Sequence, residues 1–419
     1  MHKKLHDYIM GMKAADAHEH LLPEEERLAI KPDVIWLFYQ YASNDLRSAG
    51  MSEKDAKTAM DPDVSLDKRW RIFKPYYALI KNTGYAQGVR CALKDLYGCD
   101  ELNDKTYLPT SEKIASQNKP GITDRFLGKK GRIGLILNCN YLYEQPVPYS
   151  FPIVRLNLLW EEEFHKRLRH LETQYKFKVT CLDSFLELMT IVFKDYGRHN
   201  AVGVKMVATP PAAIIGKRQA AGYFLKILRR KKPAGGECAA LFFSFLQDKA
   251  IELAARSNLT VAVHCGYLSG VNCDFTKTRI THMIPLLQRH PDARFDLFHL
   301  GYPWIEEAIA VAKAFTNVSL NLCWSHAINP AAYERAVAGI ACSVPANKIL
   351  AMGGDTWRLP DVSYGFLKMA RISLARALSG CIHDSRLAFD EARVLAERWL
   401  YSNAFSIYPQ LKLHAPGKE

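Results

Sequence analysis

No Cys-x-x-Cys pair occurs in these 419 residues, although cysteine appears ten times, scattered from Cys91 to Cys381. Several of the ten sit inside apolar stretches, where a free cysteine behaves as a small hydrophobe, and the scatter fits a reduced cytoplasm. Also missing is any run of about 18 apolar residues, so no transmembrane helix is expected. The opening Met1–Tyr8 carries basic residues with no apolar core behind them and makes a poor signal peptide. Charge of one sign is in excess, at a formal +13. Its densest expression, Lys226–Lys232, lacks the aromatic platforms, fold motif or basic stripe of a nucleic-acid binder. The other Lys and Arg are interspersed with acids, as on a solvated face. The expectation is a soluble, cytoplasmic protein without a nucleic-acid or membrane partner. With 48% hydrophobic residues it can bury a large core.

Two textures alternate along the chain. Residues 30–118 read as helical throughout. From about residue 130, short apolar runs recur, each followed by a stretch of helical period, which is the sign of βα units and a parallel sheet. Eight strands can be counted: Ala14–His20, Arg132–Leu137, Ile153–Leu158, Ala201–Val207, Thr260–His264, Arg294–His299, Val318–Leu322 and Ile349–Gly353. Helices are expected at Asp183–Tyr196, Ala239–Asn258, Arg279–Arg289, Pro303–Phe315, Ala331–Ile340 and Val362–Leu378. The fold class is therefore α/β, a (β/α)8 TIM barrel formed by residues 1–419 as one domain. Eight such units need about 250 residues. The surplus falls in a helical insertion after strand 1, residues 30–118, and in a second between Ala208 and Gly236. Both follow C-terminal strand ends, where a lid would lie. A separate helical domain is the other reading of 30–118.

Polar residues stand at those strand ends. In Asp16-Ala-His18-Glu-His20, alternate residues share a face, so His18 and His20 can grip one ion. His264 ends the fifth strand, His299 the sixth, and Asp355 follows Gly353-Gly354 after the eighth. Singly, each is more often a satisfied core residue; four such residues at strand mouths converge on a barrel axis and read as catalytic. Histidines with one carboxylate suit zinc, manganese or iron better than calcium or magnesium. Trp357 and Arg358 fall on the eighth loop, where the guanidinium fork matches a carboxylate or else only ties the loop down. Tyr302 and Trp304 are pocket walls or a helix start. Trp324 and His326 are weaker wall candidates, and Glu24–Glu26 reads as a solvated helix start.

His18-Glu-His20, His264-Cys-Gly, His299-Leu-Gly and Gly353-Gly-Asp355 resemble the amidohydrolase superfamily, in its amidohydrolase-related branch. Gly203–Ala208, Leu300–Trp304 and Asn317–Leu322 are similar to relatives fused to glutamine synthetase, while Asn82–Tyr85 and Asp95–Gly98 are similar to uronate-isomerase-like ones. Ser402–Tyr408 resembles a C-terminal helix of the branch. The resemblance implies one zinc, manganese or iron ion per chain held by His18, His20, His264 and Asp355. It also implies that Asp355 takes a proton from bound water, and that His299 either binds a second metal or assists as an acid, the second being favoured. Lys205 would be a carboxylated bridge, a substrate contact, or an outward residue that snorkels.

The leading expectation is a metal-dependent hydrolase acting on an amide, lactone or related carbonyl of a small anionic substrate. Lys205, Arg358, Trp357 and Tyr302 would contact that substrate, and Asp355 and His299 would be catalytic. The alternative is uronate-isomerase-like or decarboxylase chemistry on a sugar acid or aromatic acid. A barrel kept only for binding fits less well, because the ligand set is complete. A homo-oligomer is left open.

Overall fold

The computed structural model describes residues 2–139, 142–156, 164–229 and 236–414. Eight parallel strands run in the order β1 to β8: β1 Ala14–Glu19, β2 Ile133–Asn138, β3 Ser150–Arg155, β4 Gly203–Val207, β5 Thr260–His264, β6 Phe295–Phe298, β7 Val318–Asn321 and β8 Ile349–Leu350. Closure comes from the chain beyond β8. Ala17 N donates to Met352 O, Asp355 N to His18 O, His20 N to Thr356 O and Arg358 N to His20 O, at 2.8–3.1 Å. This is the (β/α)8 barrel expected from the alternating pattern. The third strand begins earlier than expected, and Asn157 and Leu158 lie outside the described residues, as do Arg230–Lys232 of the basic segment. Lys226 and Arg229 occupy the last turn of a helix, Lys217–Arg229, where cations suit the helix dipole.

Two apolar clusters form. One fills the interface of strands and outer helices. The other lines the barrel interior with residues at or beside all eight strands, among them Ala17, Leu137, Ile153, Val202, Ala262, Phe298, Cys323 and Leu350. It is closed at one end by Ala404, Ile407, Tyr408 and Leu411 from the C-terminal segment, whose short helix is Ala404–Ile407. Gly203 is required there: a Cβ would stand 2.7 Å from Thr260 O and 3.0 Å from the Tyr408 ring.

One expected helix is shorter. Only Ile284–Arg289 of Arg279–Arg289 is α-helical, preceded by 3-10 turns at Phe275–Thr278 and Ile280–Met283. Pro285 explains it, since proline lacks an N–H and its ring clashes with the carbonyl four residues back, so it is favoured in a first turn.

The insertion after β1 holds five α-helices between residues 41 and 117: Tyr41–Ser48, Glu53–Met60, Leu66–Ile80, Gly84–Tyr97 and Tyr107–Gln117. The Gly84–Tyr97 helix lies against Pro360–His383 so closely that a Cβ on Gly365 would meet Gly88 O at 2.0 Å, and one on Gly88 the Phe366 ring at 2.1 Å. Near this contact a buried ion pair joins Arg27 to Asp361 at 3.0 Å, with the Tyr97 hydroxyl donating to the same carboxylate. These contacts fix the insertion over the strand ends.

At the opposite end, Asp296 is wholly buried. Its Oδ2 accepts from the Tyr408 hydroxyl at 2.7 Å and from Asn321 Nδ2 at 3.0 Å, and burial pushes its carboxyl up to about 7. Between the ordinary value of 3.8 and about 7, the folded form holds a proton that the unfolded chain has lost. Stability linked to this group is therefore complete at low pH and lost as pH rises through 7. Urea unfolding of Asp296→Asn is expected to lack that loss. Relative to wild type, the variant should gain about 3 kcal/mol between pH 5 and pH 8, at ~1.4 kcal/mol per unit of unmatched protonation. Parallel pH profiles would refute a buried, titrating Asp296.

Candidate metal centre

β1, held on one side by β2 and on the other by the chain after β8, delivers His18 and His20 to the barrel mouth. Asp355 reaches them from the β8 extension in a left-handed conformation, φ 51°. The two glycines before it permit the approach. A Cβ at Gly353 would stand 2.7 Å from both His18 N and Cys323 Cβ, and one at Gly354 would meet Glu19 Oε1 at 2.0 Å. Asp16 Oδ1 accepts from Gly354 N at 3.0 Å, and Glu19 Oε2 accepts from both the N–H and the hydroxyl of Thr356 at 2.9 Å. Two buried carboxyls of β1 thus clamp the residues on either side of Asp355. Burial pushes both upward, Asp16 to about 7. Left-handed backbone at non-glycine residues recurs around the mouth, at His299, Leu300, Trp324 and Arg358. Such clustering is characteristic of functional sites.

Asp355 Oδ1 lies 3.3 Å from both His18 Nε2 and His20 Nε2, while Oδ2 lies 3.7 Å from His299 Nε2. Burial alone would raise this carboxyl. His18, His20 and Lys205 outweigh burial and hold it well below the ordinary range. His18, fully buried, is pushed well below the usual histidine value by burial and by Lys205. Lys205 is buried too, its Nζ at 2.5 Å from His18 Nε2 and 5.2 Å from the Phe298 ring centroid. It points into the barrel, which removes the snorkelling alternative. Lys205 Nζ and Asp355 Oδ1 both approach His18 Nε2, while His18 Nδ1 has no partner among the described residues. Among the described residues, the ligand atoms of His18, His20 and Cys139 lie within 4.8 Å of one another. Converging imidazoles with a carboxylate oxygen against both are a donor set that fits a divalent transition metal.

His264 and His299 form a second unit. His264 Nδ1 is 3.0 Å from His299 Nε2, and His264 Nε2 is 2.9 Å from Tyr267 O. A carbonyl only accepts, so His264 Nε2 bears the hydrogen and Nδ1 accepts from His299. His299 Nδ1 then has the Cys323 thiol at 3.3 Å and Cys323 O at 3.1 Å. Burial lowers both rings, His299 to about 4, so the neutral chain of bonds is the resting one. In this arrangement both His264 nitrogens are hydrogen-bonded, and His299 and Asp355 link the unit to the His18–His20 pair.

The insertion supplies groups that local sequence does not announce. Gln40 donates from Nε2 to Asp355 O at 3.2 Å and accepts from Trp357 N. The Tyr41 phenol faces the Asp355 carboxylate; burial first, and that charge second, push it well above the ordinary tyrosine value. The Tyr41 ring stacks on Trp324 at 4.5 Å, and Trp324 stands 5.1 Å from His299. Trp324 is therefore a wall of the site. His326 instead packs against Tyr333 and Phe366, and Glu24–Glu26 opens the Glu24–Ala29 helix. Arg358 rests on the Trp357 ring at 3.7 Å, with Nε unpartnered among the described residues, and Tyr39 stacks on Trp357. Tyr302 borders Tyr267, and its hydroxyl is 3.4 Å from Asn329 Nδ2. Trp304, after Tyr302, caps the Ile305–Ala314 helix and packs under Arg279.

The family model described as Amidohydrolase matches residues 153–350, a span that includes Lys205, His264 and His299. No curated protein matches the chain. Among solved structures it is similar to a uronate isomerase from Thermotoga maritima, at 15% identity and TM-score 0.82, covering 97% of this chain and 96% of that one. A glucuronate isomerase from Caulobacter crescentus is similar at 16% identity and TM-score 0.79, covering 97% and 93%. A uronate isomerase from Bacillus halodurans C-125 follows at 14% and 0.72, covering 97% and 96%. At such identities the likeness concerns the fold.

The clamp on the β8 extension generates a prediction. In Gly354→Ala the new methyl must displace Glu19 Oε1 and with it the Thr356 anchor. The barrel should stay folded by far-ultraviolet circular dichroism, while equilibrium dialysis shows divalent-metal affinity at least tenfold weaker. Unchanged affinity would mean that the clamp does not position Asp355.

Proposed function

We propose that the chain, whose residues 153–350 match the family model described as Amidohydrolase, is a member of the amidohydrolase superfamily and a metal-dependent hydrolase that cleaves an amide, lactone or related carbonyl of a small anionic molecule. The observation that carries this reading is the Asp355 carboxylate, with one oxygen against His18 and His20 and the other free towards His299. His18, His20 and Asp355 Oδ1 would hold one zinc, manganese or iron ion. That ion would supply Lewis acidity towards the substrate carbonyl and an attacking water. His264, the further ligand that the sequence suggests, is hydrogen-bonded to Tyr267 O and His299 and would support His299.

The chain's residues divide the remaining work. Asp355 Oδ2 is the base for the attacking water: its depressed value keeps it ionised and its position leaves it unblocked. The same oxygen then returns the proton to the leaving group. The Tyr41 phenol stays protonated and so can donate to a developing oxyanion. His299 Nε2, next to Asp355 Oδ2, is placed to stabilise the proton in transit. Lys205 and Arg358 favour an anionic substrate, and Trp357, Tyr302 and Trp324 offer apolar walls to its body.

A second reading has its own support. The likeness to the uronate isomerases extends over 97% of the chain, including the region of the helical insertion that brings Tyr41 to Asp355. On that reading the Asp355–Tyr41 pair moves protons between adjacent carbons of a sugar acid. The two are separated by incubating the enzyme in deuterated water with anionic amides and lactones on one side and uronates on the other. Hydrolysis products without carbon-bound deuterium are expected. Deuterium at C2 of a uronate with no hydrolysis would replace the first reading by the second.

Two further outcomes follow from the assigned roles. Purified protein should carry about one equivalent of transition metal, and His18→Ala or Asp355→Ala should lose most of it; an active, metal-free preparation would overturn the scheme. Arg358→Lys should weaken binding of acids roughly ten- to a hundredfold relative to their neutral amides or methyl esters, because an ammonium cannot reproduce the two-pronged contact. Equal losses for acids and neutral analogues would leave Arg358 a purely structural residue.

A further inference from the structure

We propose that Asp45 anchors an ammonium group at the far end of the substrate, so that the molecule carries a cationic nitrogen as well as the acid group assigned above. The acid end rests on the hydrolase reading; the Asp45 end stands on its own observations. Tyr41 opens the Tyr41–Ser48 helix and faces Asp355. Asp45 is one turn further along the same helix face, at roughly 6 Å of helix rise. It lines a groove of about 410 Å³ between this helix and the loop after β5, where Tyr267, Gly270 and Asn272 form the other bank. Asn44 Nδ2 donates across to Ser269 Oγ at 3.2 Å. Tyr267 carries its bank inward, with its ring 6.2 Å from Tyr302 and 5.9 Å from Trp324, the wall beside His299.

The Asp45 carboxylate lacks a countercharge. It is half-buried, its Oδ2 is buried without a hydrogen-bond partner, and no ion pair among the described residues includes it. Arg47, the other charged residue of the groove, acts on Glu53. Burial raises the Asp45 carboxyl, with Thr83 opposing. A carboxylate withdrawn from water without a partner is costly, and a cation brought by the ligand removes that cost. The Tyr85 hydroxyl is a second unsatisfied group: the residue is 6% exposed and its oxygen has no partner among the described residues. Burial first, then Tyr267 and Asp45, push this phenol well above the ordinary value, which places the three groups together. An ammonium has three donors, and Asp45 Oδ2 and Tyr85 Oη offer two acceptors. Tyr85 and Tyr267 are aromatic neighbours of the kind that attract a cation. A metal ion would want several oxygens in place of these rings, and a neutral hydroxyl would leave the charge of Asp45 unanswered.

Binding, not turnover, is the readout, measured by titration calorimetry on the full chain as purified. The probes are straight-chain ω-amino acids of increasing length, each beside the hydroxy acid and the unsubstituted acid of equal length. The best-fitting amino acid is expected to bind roughly ten- to a hundredfold more tightly than its hydroxy and unsubstituted partners, the range of one charged hydrogen bond. In Asp45→Asn that preference should disappear while the unsubstituted acids bind as before, and in Arg358→Lys all three classes should weaken alike. The wild-type comparison decides the matter even if a variant folds poorly. Hydroxy and amino acids bound equally by the wild type, or no amino acid bound at all, would overturn the inference. A preference for the amino acid that survives Asp45→Asn would overturn it as well. Absence of metal or of hydrolysis, with the Asp45-dependent preference intact, would remove the hydrolase reading and leave this subsite standing.

Discussion

The site depends on one stretch of backbone pairing, between β1 and the residues that follow β8. Asp355 N donates to His18 O, and His20 N donates to Thr356 O, so the amide that carries the carboxylate is bonded to the strand that carries the imidazoles. The same bonds close the barrel. Closure and site geometry are thus a single constraint, and the glycines at 353 and 354 are what let the two backbones approach. Parallel strands end with their last side chains at the same rim, and sheet curvature turns that rim inward. A donor set drawn from β1 and the β8 extension is a direct consequence.

Such a rim concentrates buried charge. Asp355, Lys205, Asp16 and Glu19 all lie within the protein, where an unpaired ion is costly. Each is answered locally. Lys205 and two histidines surround Asp355, while Asp16 and Glu19 each spend one oxygen on the backbone of the same loop. The charge arrangement that lowers Asp355 and the geometry that places it therefore arise from the same few residues. Far below, Asp296 repeats the pattern with Tyr408 and Asn321, tying the C-terminal segment to the base of the barrel.

Much of this was legible in the sequence because the signals are local. A short apolar run followed by a helical period marks a βα unit, and a polar residue directly after the run marks its mouth; His18, His20, His299 and Asp355 were found in that way and do meet in space. Cys139 carries the same positional signal, one residue past β2, but cysteine is read as a small hydrophobe by default. Tyr41 and Gln40 carry no such signal. They lie within a helical block whose composition says only that it packs, and their route to Asp355 runs through the contact of Gly88 and Gly365 and through Arg27 with Asp361. Those are long-range pairings, set by tertiary fit rather than by any local pattern. The shortened helix before Arg289 was legible in principle, since Pro285 marks where a helix can begin.

The histidine pair shows how hydrogen-bond direction can assign a role that position alone leaves open. His264 and His299 occupy equivalent strand ends and look interchangeable in sequence. Tyr267 O fixes the hydrogen on His264 Nε2, which makes its Nδ1 an acceptor and makes His299 Nε2 the donor. His299 Nδ1 then faces two groups of opposite sense, the Cys323 thiol and the Cys323 carbonyl. When the ring is neutral the thiol donates to it; when the ring gains a proton, Nδ1–H donates to the carbonyl instead. Neither state leaves a buried nitrogen without a partner, so the penalty that normally locks a buried imidazole into one protonation state is reduced. Burial still favours the neutral form at rest. A ring so supported, 3.7 Å from the free oxygen of Asp355, is built to accept charge briefly and return it, whereas His264 is built to hold that ring in place.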